Sequence, residues 1–199
     1  GNFLNGWSFN NVTYSSMHSC ASDWNKVKGY RIKNVYGMSL IGCGSESNTQ
    51  EGFYVETDAV SFLSSDSVVN LQSCFSTMNS KAGVNTYANF LKVAAGINRP
   101  AIVTIDGCVD GLSGGQTLSM VLNGSSSAVE TYERGNNIAG TVSTSGTVRR
   151  VGKAGFFGTG SPEGVVTASA GAVFMRTDGG AGTTLYIKES GTGSTGWVA

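Results

Sequence analysis

The chain has 199 residues, with 13 lysines and arginines against 13 aspartates and glutamates and one histidine, so its formal charge is zero. Charged residues make up 13% of it, about half the ~25% of an average soluble domain. This balance excludes an electrostatic footprint for nucleic acid or an anionic membrane surface, one histidine excludes a multi-histidine metal site, and a 40% apolar share excludes a disordered tail.

No run of eighteen apolar residues is present to form a spanning helix, and no basic-then-apolar signal pattern follows Gly1. Ser, Thr, Asn and Gly take the place of charge. Strand-forming runs recur at 102–105 (IVTI), 117–122 (TLSMVL), 172–175 (AVFM) and 184–187 (TLYI), and no apolar stripe reaches four helical turns. The composition predicts an all-β chain.

The first zone, 1–110, is marked by its cysteines. Cys20, Cys43, Cys74 and Cys108 stand 23, 31 and 34 residues apart, without a C-x-x-C, so neither a zinc site nor a disulfide framework is indicated. Each closes one short phrase, MHSC, LIGC, LQSC and IDGC, with Val12, Val35, Val69 and Val103 upstream. Similarity at an uneven period of this size reads as a β-solenoid from about residue 8 onward. Each cysteine would be a small core residue in a stacked ladder, and the Ser or Gly before it would make a tight corner.

The second zone, 111–160, reads as a small β domain. It has strand pairs around Asn123-Gly124 and Ser145-Gly146, since such dipeptides favour hairpin turns. Fifteen of the 29 glycines fall in the last 65 residues, so 161–199 forms a glycine-rich β tail.

That tail, GSPEGVVTASAGAVFMRTDGGAGTTLYIKESGTGSTGWVA, resembles the carboxy-terminal segment of many bacteriophage tail fibres and tailspikes. The resemblance rests on the SPEG start, the RTDGGAGTTLY core, the KESGTG after it and the closing GW, and it spans about forty residues. It implies a homotrimer with a right-handed parallel β-helix in each subunit. The expected fold is therefore all-β: right-handed parallel β-helix rungs over 1–110, a small β domain over 111–160 and a trimerisation segment over 161–199.

The resemblance also implies a function: the distal part of a tailspike or tail fibre that trimerises the appendage and contributes to binding bacterial surface polysaccharide, O-antigen or capsule. The alternative is a polysaccharide depolymerase, hydrolase or lyase, with surface carboxylates in this chain. The expected location is the virion tail, after assembly in the host bacterial cytoplasm, joined to the rest of the tail or baseplate through an upstream part. A start at Gly1-Asn2-Phe3 fits a piece of a longer protein. No cofactor or metal, no nucleic acid and no membrane insertion are expected.

Two motifs lead nowhere. GLSGG at 111–115 fits a nucleophile elbow with Ser113, but that chemistry needs a histidine later in the chain, and His18 lies far upstream. GTGSTG at 191–196 fits a dinucleotide fingerprint, yet no helix can follow it, so it reads as a turn.

Between Lys33 and Lys81 no basic residue occurs, while Glu46, Glu51, Glu56, Asp58 and Asp66 do. Glu56 and Asp58, two apart on a strand, would share a face and could serve as acid and base on a sugar. The alternative is a solvated polar face, and Asp106 with Asp110 forms a looser pair. WNKVKGYR places Trp24, Tyr30 and Arg31 in one expected loop, the best local candidate for glycan contact. Trp7 and Tyr54 read as core or interface residues. In the tail, Val173, Phe174, Leu185, Ile187 and Trp197 are expected to pack, some of them against partner subunits. Forty residues with nine glycines lose much entropy on ordering and offer few apolar groups in return.

Overall fold

Alternation of apolar and polar residues builds the strands. In β-branched stretches such as Ala101–Asp106 every second side chain is buried, the period expected of a strand with one face in a core. The computed structural model describes residues 4–58, 66–83, 86–112, 115–138, 140–151 and 156–199, the side chain of Phe157 excepted.

In chain order the strands are β1 (Asn5–Asn10), β2 (Thr13–His18), β3 (Ala21–Asp23), β4 (Lys28–Lys33), β5 (Tyr36–Ile41), β6 (Gly44–Glu46) and β7 (Phe53–Glu56). Next come β8 (Ser67–Gln72), β9 (Phe75–Thr77), β10 (Leu91–Ala94), β11 (Ala101–Asp106) and β12 (Val109–Gly111). β13 (Leu118–Arg134), β14 (Asn137–Ile138) and β15 (Thr141–Val151) complete a first unit, Gly1–Val151. A second unit, Gly152–Ala199, holds β16 (Phe156–Gly158), β17 (Val173–Arg176), β18 (Leu185–Lys188) and β19 (Trp197–Val198).

The described residues are all-strand, without helix, but the β-helix rungs followed by a small β domain are not the architecture found. Nine parallel strands follow one path, β1-β4-β7-β10-β13-β11-β8-β5-β2, and curl into a half-barrel, with β15 beside β13 as a tenth strand. The cause is β13. It runs for 17 residues, pairing with β10 through Met120–Asn123 and with β11 through Val129–Arg134. Two ladders are thereby joined into one curled sheet. β3, β6, β9, β12 and β14 form a separate five-stranded parallel sheet.

The hairpins expected at Asn123-Gly124 and Ser145-Gly146 are not made either. β13 and β15 pass through both sites and pair in parallel. Gly124 is buried, and a Cβ on it would run into the Thr147 carbonyl, while one on Gly146 would meet the Gly124 backbone. These glycines permit close approach of two strands rather than a turn.

The core of the first unit is a set of in-register columns. Tyr30, Phe53, Leu91 and Met120 align on successive strands, as do Leu40, Leu71 and Ile105, and all are buried. The Tyr30 and Phe53 rings stack with centroids 4.8 Å apart. Cys20, Cys43, Cys74 and Cys108 each lie two residues beyond β2, β5, β8 and β11, as free thiols. Three of them donate to a carbonyl of the neighbouring strand: Cys43 to Met17 (3.6 Å), Cys74 to Leu40 (3.3 Å) and Cys108 to Leu71 (3.4 Å). The residue before each cysteine turns the corner with positive φ: Ser19 51°, Gly42 62°, Ser73 52° and Gly107 61°.

Candidate functional site

In the tail the motif residues bond to one another. The Glu163 carboxylate of SPEG accepts the backbone N–H groups of Gly196 (3.0 Å) and Trp197 (2.8 Å), the closing GW. Arg176 and Asp178 of RTDG pair, and Asp178 also accepts the Gly160 N–H at 2.9 Å. Those donors, the Arg176 guanidinium first, hold the Asp178 carboxyl below its ordinary range. Lys188 of KESG is buried, its ammonium donating to the Thr195 carbonyl.

The tail sheet therefore has two faces. Ala172, Phe174, Tyr186 and Trp197 form its inner core, with the Phe174 and Trp197 rings edge to face at 6.1 Å. Antiparallel register places Val173, Ile187 and Val198 side by side on the other face, with Met175 opposite Leu185. There Leu185 is 50% exposed and Ile187 46%. Of the five tail residues expected to pack, some of them against partner subunits, Phe174 and Trp197 pack within their own unit. Val173, Leu185 and Ile187 lie on the open face.

In the first unit three acids of the base-free stretch, Glu51, Glu56 and Asp58, meet bases of β4 and β10. Buried Glu51 lies 3.5 Å from the Lys28 ammonium and 3.3 Å from that of Lys92. The same two lysines lie over the Tyr54 ring, 4.7 and 5.3 Å from its centroid. Arg31 donates to Glu56 at 2.7 Å, Lys33 meets Asp58 at 2.5 Å, and the Asn34 amide donates to Asp58 at 2.9 Å. Glu56 and Asp58 are thus each engaged by a cation of β4. Around Glu51, Glu56 and Asp58 the stretch that reads as acidic in sequence is a face of mixed charge in space.

Trp24, Tyr30 and Arg31 are not brought together. WNKVKGYR is a corner followed by β4 rather than one loop. Tyr30 points into the core, its hydroxyl 2.6 Å from the Cys20 carbonyl, and burial raises its pKa. Arg31 lies on the outer strand face, and Trp24 is exposed at the corner, with Lys81 over its ring. Tyr54 belongs to the outer face rather than the core. Trp7 is partly exposed, donating from its indole to the Ala21 carbonyl at 3.1 Å. Ser113 lies outside the described residues.

The feature that sequence reading missed is a buried polar ladder. Asn25 donates to Asn48 Oδ1 from its backbone (3.0 Å) and its side chain (2.7 Å). Asn48 donates in the same way to Asn79 Oδ1 (3.0 and 2.8 Å), and the Asn79 backbone donates to Asn89 Oδ1 (2.8 Å). Ser22, Ser45 and Ser76 stack beside them and donate to carbonyls of Gly29, Gly52 and Asn89. Its members read as S-x-x-N at 22–25, 45–48 and 76–79, a pattern that also occurs at 8–11 and 67–70 outside the ladder. At the ladder's end the buried Asp110 carboxylate accepts from the Asn89 amide, and its other oxygen finds no donor among the described residues.

Among the described residues no group of three or more His, Cys, Asp or Glu is placed to hold a metal ion. Comparison of the chain with protein families, with curated proteins and with solved structures gives no match.

Proposed function

We propose that this chain is the distal part of a bacteriophage tailspike or tail fibre, that three copies assemble through the outer face of the tail sheet, and that the assembly adheres to bacterial surface polysaccharide. One observation carries the reading. The tail builds a complete small core of its own and still leaves Val173, Met175, Leu185, Ile187 and Val198 together on the opposite face. A contiguous apolar face of this kind marks an interaction surface, and copies of the same segment supply matching apolar surface. The trimer and the virion location are taken from the resemblance carried by the tail motif.

For the polysaccharide, support comes from an uncharged outer column on the curled sheet. Ser16, Ser39, Asn70 and Thr104 stand in register on β2, β5, β8 and β11, presenting hydroxyl and amide groups to a partner rich in hydroxyls. The depolymerase alternative through Glu56 and Asp58 has no observation in its favour, since a cation holds each carboxylate. Light scattering on the purified chain tests the assembly. The expected mass is three times the 20.6 kDa of one chain, and a monomer at all concentrations overturns the proposal.

A further inference from the structure

Trp24 occupies an unusual position for its type. Its φ is 57°, a left-handed conformation that bulky side chains rarely adopt. Packing does not compensate, because the residue is 65% exposed. The neighbouring backbone is nevertheless pinned. The Trp24 N–H donates to the Glu46 carbonyl at 3.1 Å, and Asn25 beside it donates twice to Asn48. Asn48 also accepts the Lys81 N–H on its carbonyl at 3.2 Å. One buried ladder residue, Asn48, thus anchors the chain at both Asn25, next to Trp24, and Lys81.

Above that anchor the Lys81 ammonium lies 3.9 Å from the centroid of the Trp24 ring. Eight other basic side chains meet a carboxylate. For Lys81 none is found among the described residues. An exposed indole, held in place at some backbone cost, and a cation without a carboxylate therefore converge on one spot.

We propose that Trp24 and Lys81 form a subsite for a sugar unit bearing a carboxylate, an inference that rests on the reading that the chain meets bacterial polysaccharide. The indole offers a flat apolar surface to the C–H face of a pyranose ring. The Lys81 ammonium lies over one face of the ring, so the sugar stacks on the other. The lysine chain swings to the ring's edge to meet a carboxylate projecting from the sugar, a charge-assisted contact that a neutral sugar cannot make. The paired charges of the β4–β7–β10 face take no part.

Titration calorimetry of the whole chain at low salt, with an oligogalacturonate and its carboxyl-reduced form, tests the subsite. The acidic oligomer should bind saturably and the reduced form about tenfold more weakly. Trp24→Asn, which suits the left-handed backbone, should abolish binding of both. Lys81→Gln should lower the acidic oligomer to the level of the reduced one, with circular dichroism and mass unchanged. Absence of saturable binding by the unaltered chain, or unchanged affinity in either variant, overturns the subsite. The mass of the same samples separates the two readings: a trimer that does not bind overturns the subsite alone, and a monomer that binds through Trp24 overturns the assembly alone.

Discussion

Asp110 takes the register position that Ser22, Ser45 and Ser76 hold on the preceding strands, and Asn89 donates its side-chain amide to it. A carboxylic acid therefore ends a ladder that hydroxyls otherwise line. Burial pushes its pKa from 3.8 up to about 6, and the hydrogen bond from Asn89 offsets only part of that.

Because the folded state holds this proton more tightly than the unfolded chain, the contribution is full below the unfolded pKa of 3.8 and is lost as pH rises through about 6. The shift corresponds to about 3 kcal/mol between those limits. Asp106 and Asp178, whose pKa values are lowered, act in the opposite sense. The informative quantity is therefore the difference between the parent and Asp110→Asn in urea unfolding at pH 4, 5, 6 and 7. The variant should gain on the parent as pH rises, and a pH-independent difference would contradict this account.

How much of this was legible in the sequence depends on the element. The all-strand character was legible, as were the Ser or Gly corners before the four cysteines, because a corner phrase is local. The tail's strand-forming runs at 172–175 and 184–187 were legible, although nothing in them told which of Phe174 and Ile187 faces inward. The β-helix expectation failed at β13. The Asn123-Gly124 dipeptide signals a turn only when the chain reverses, and here the glycine serves a close approach to Thr147. The ion pairs were illegible because Arg31 and Glu56 are 25 residues apart in the chain and meet only through strand register.

The asparagine ladder should be the most sensitive part of the first unit. Asn48→Leu removes the acceptor for two Asn25 donors and leaves them buried. Orphaned buried groups cost about 1–3 kcal/mol each, so a loss of roughly 3 kcal/mol in chemical denaturation is expected. Gly52→Ala should also destabilise, since its methyl group would lie 2.6 Å from Ser76 Oγ and 2.8 Å from the Asn89 carbonyl. If either variant unfolds at the parent's midpoint, the ladder does not bear on stability as argued.

Thiol chemistry gives a third expectation. Cys43, Cys74 and Cys108 are buried and Cys20 half-buried. Burial pushes the Cys43 thiol up, while the hydrogen bond shared with Cys108, and then burial, push up that of Cys74. Native protein treated with a thiolate-selective reagent near neutral pH should label at Cys20 or not at all, and all four cysteines should label in denaturant. Rapid native labelling of Cys74 would contradict the stacked core.

Within the tail, Glu163 ties the SPEG turn to the closing GW. Glu163→Ala removes an acceptor from the Gly196 and Trp197 amides, and its exposure limits the cost to about 1 kcal/mol. Glu163→Gln should retain part of the interaction through its carbonyl. Hydrogen exchange at the indole N–H of Trp197, which donates to the Val166 carbonyl at 2.8 Å, should quicken in the order parent, Gln, Ala. An unchanged rate in Glu163→Ala would show that the carboxylate does not hold this end.

The claim that three copies meet on the outer face of the tail sheet is tested most directly by sedimentation equilibrium of Ile187→Glu beside the parent. Ile187 sits between Val173 and Val198 on that face, away from the Phe174–Trp197 core, so the substitution places a charge in the contact without opening the unit's interior. The account predicts a trimeric parent and a monomeric variant with the parent's circular dichroism. A variant that sediments as the same trimer, or a parent that sediments as a monomer, would contradict it.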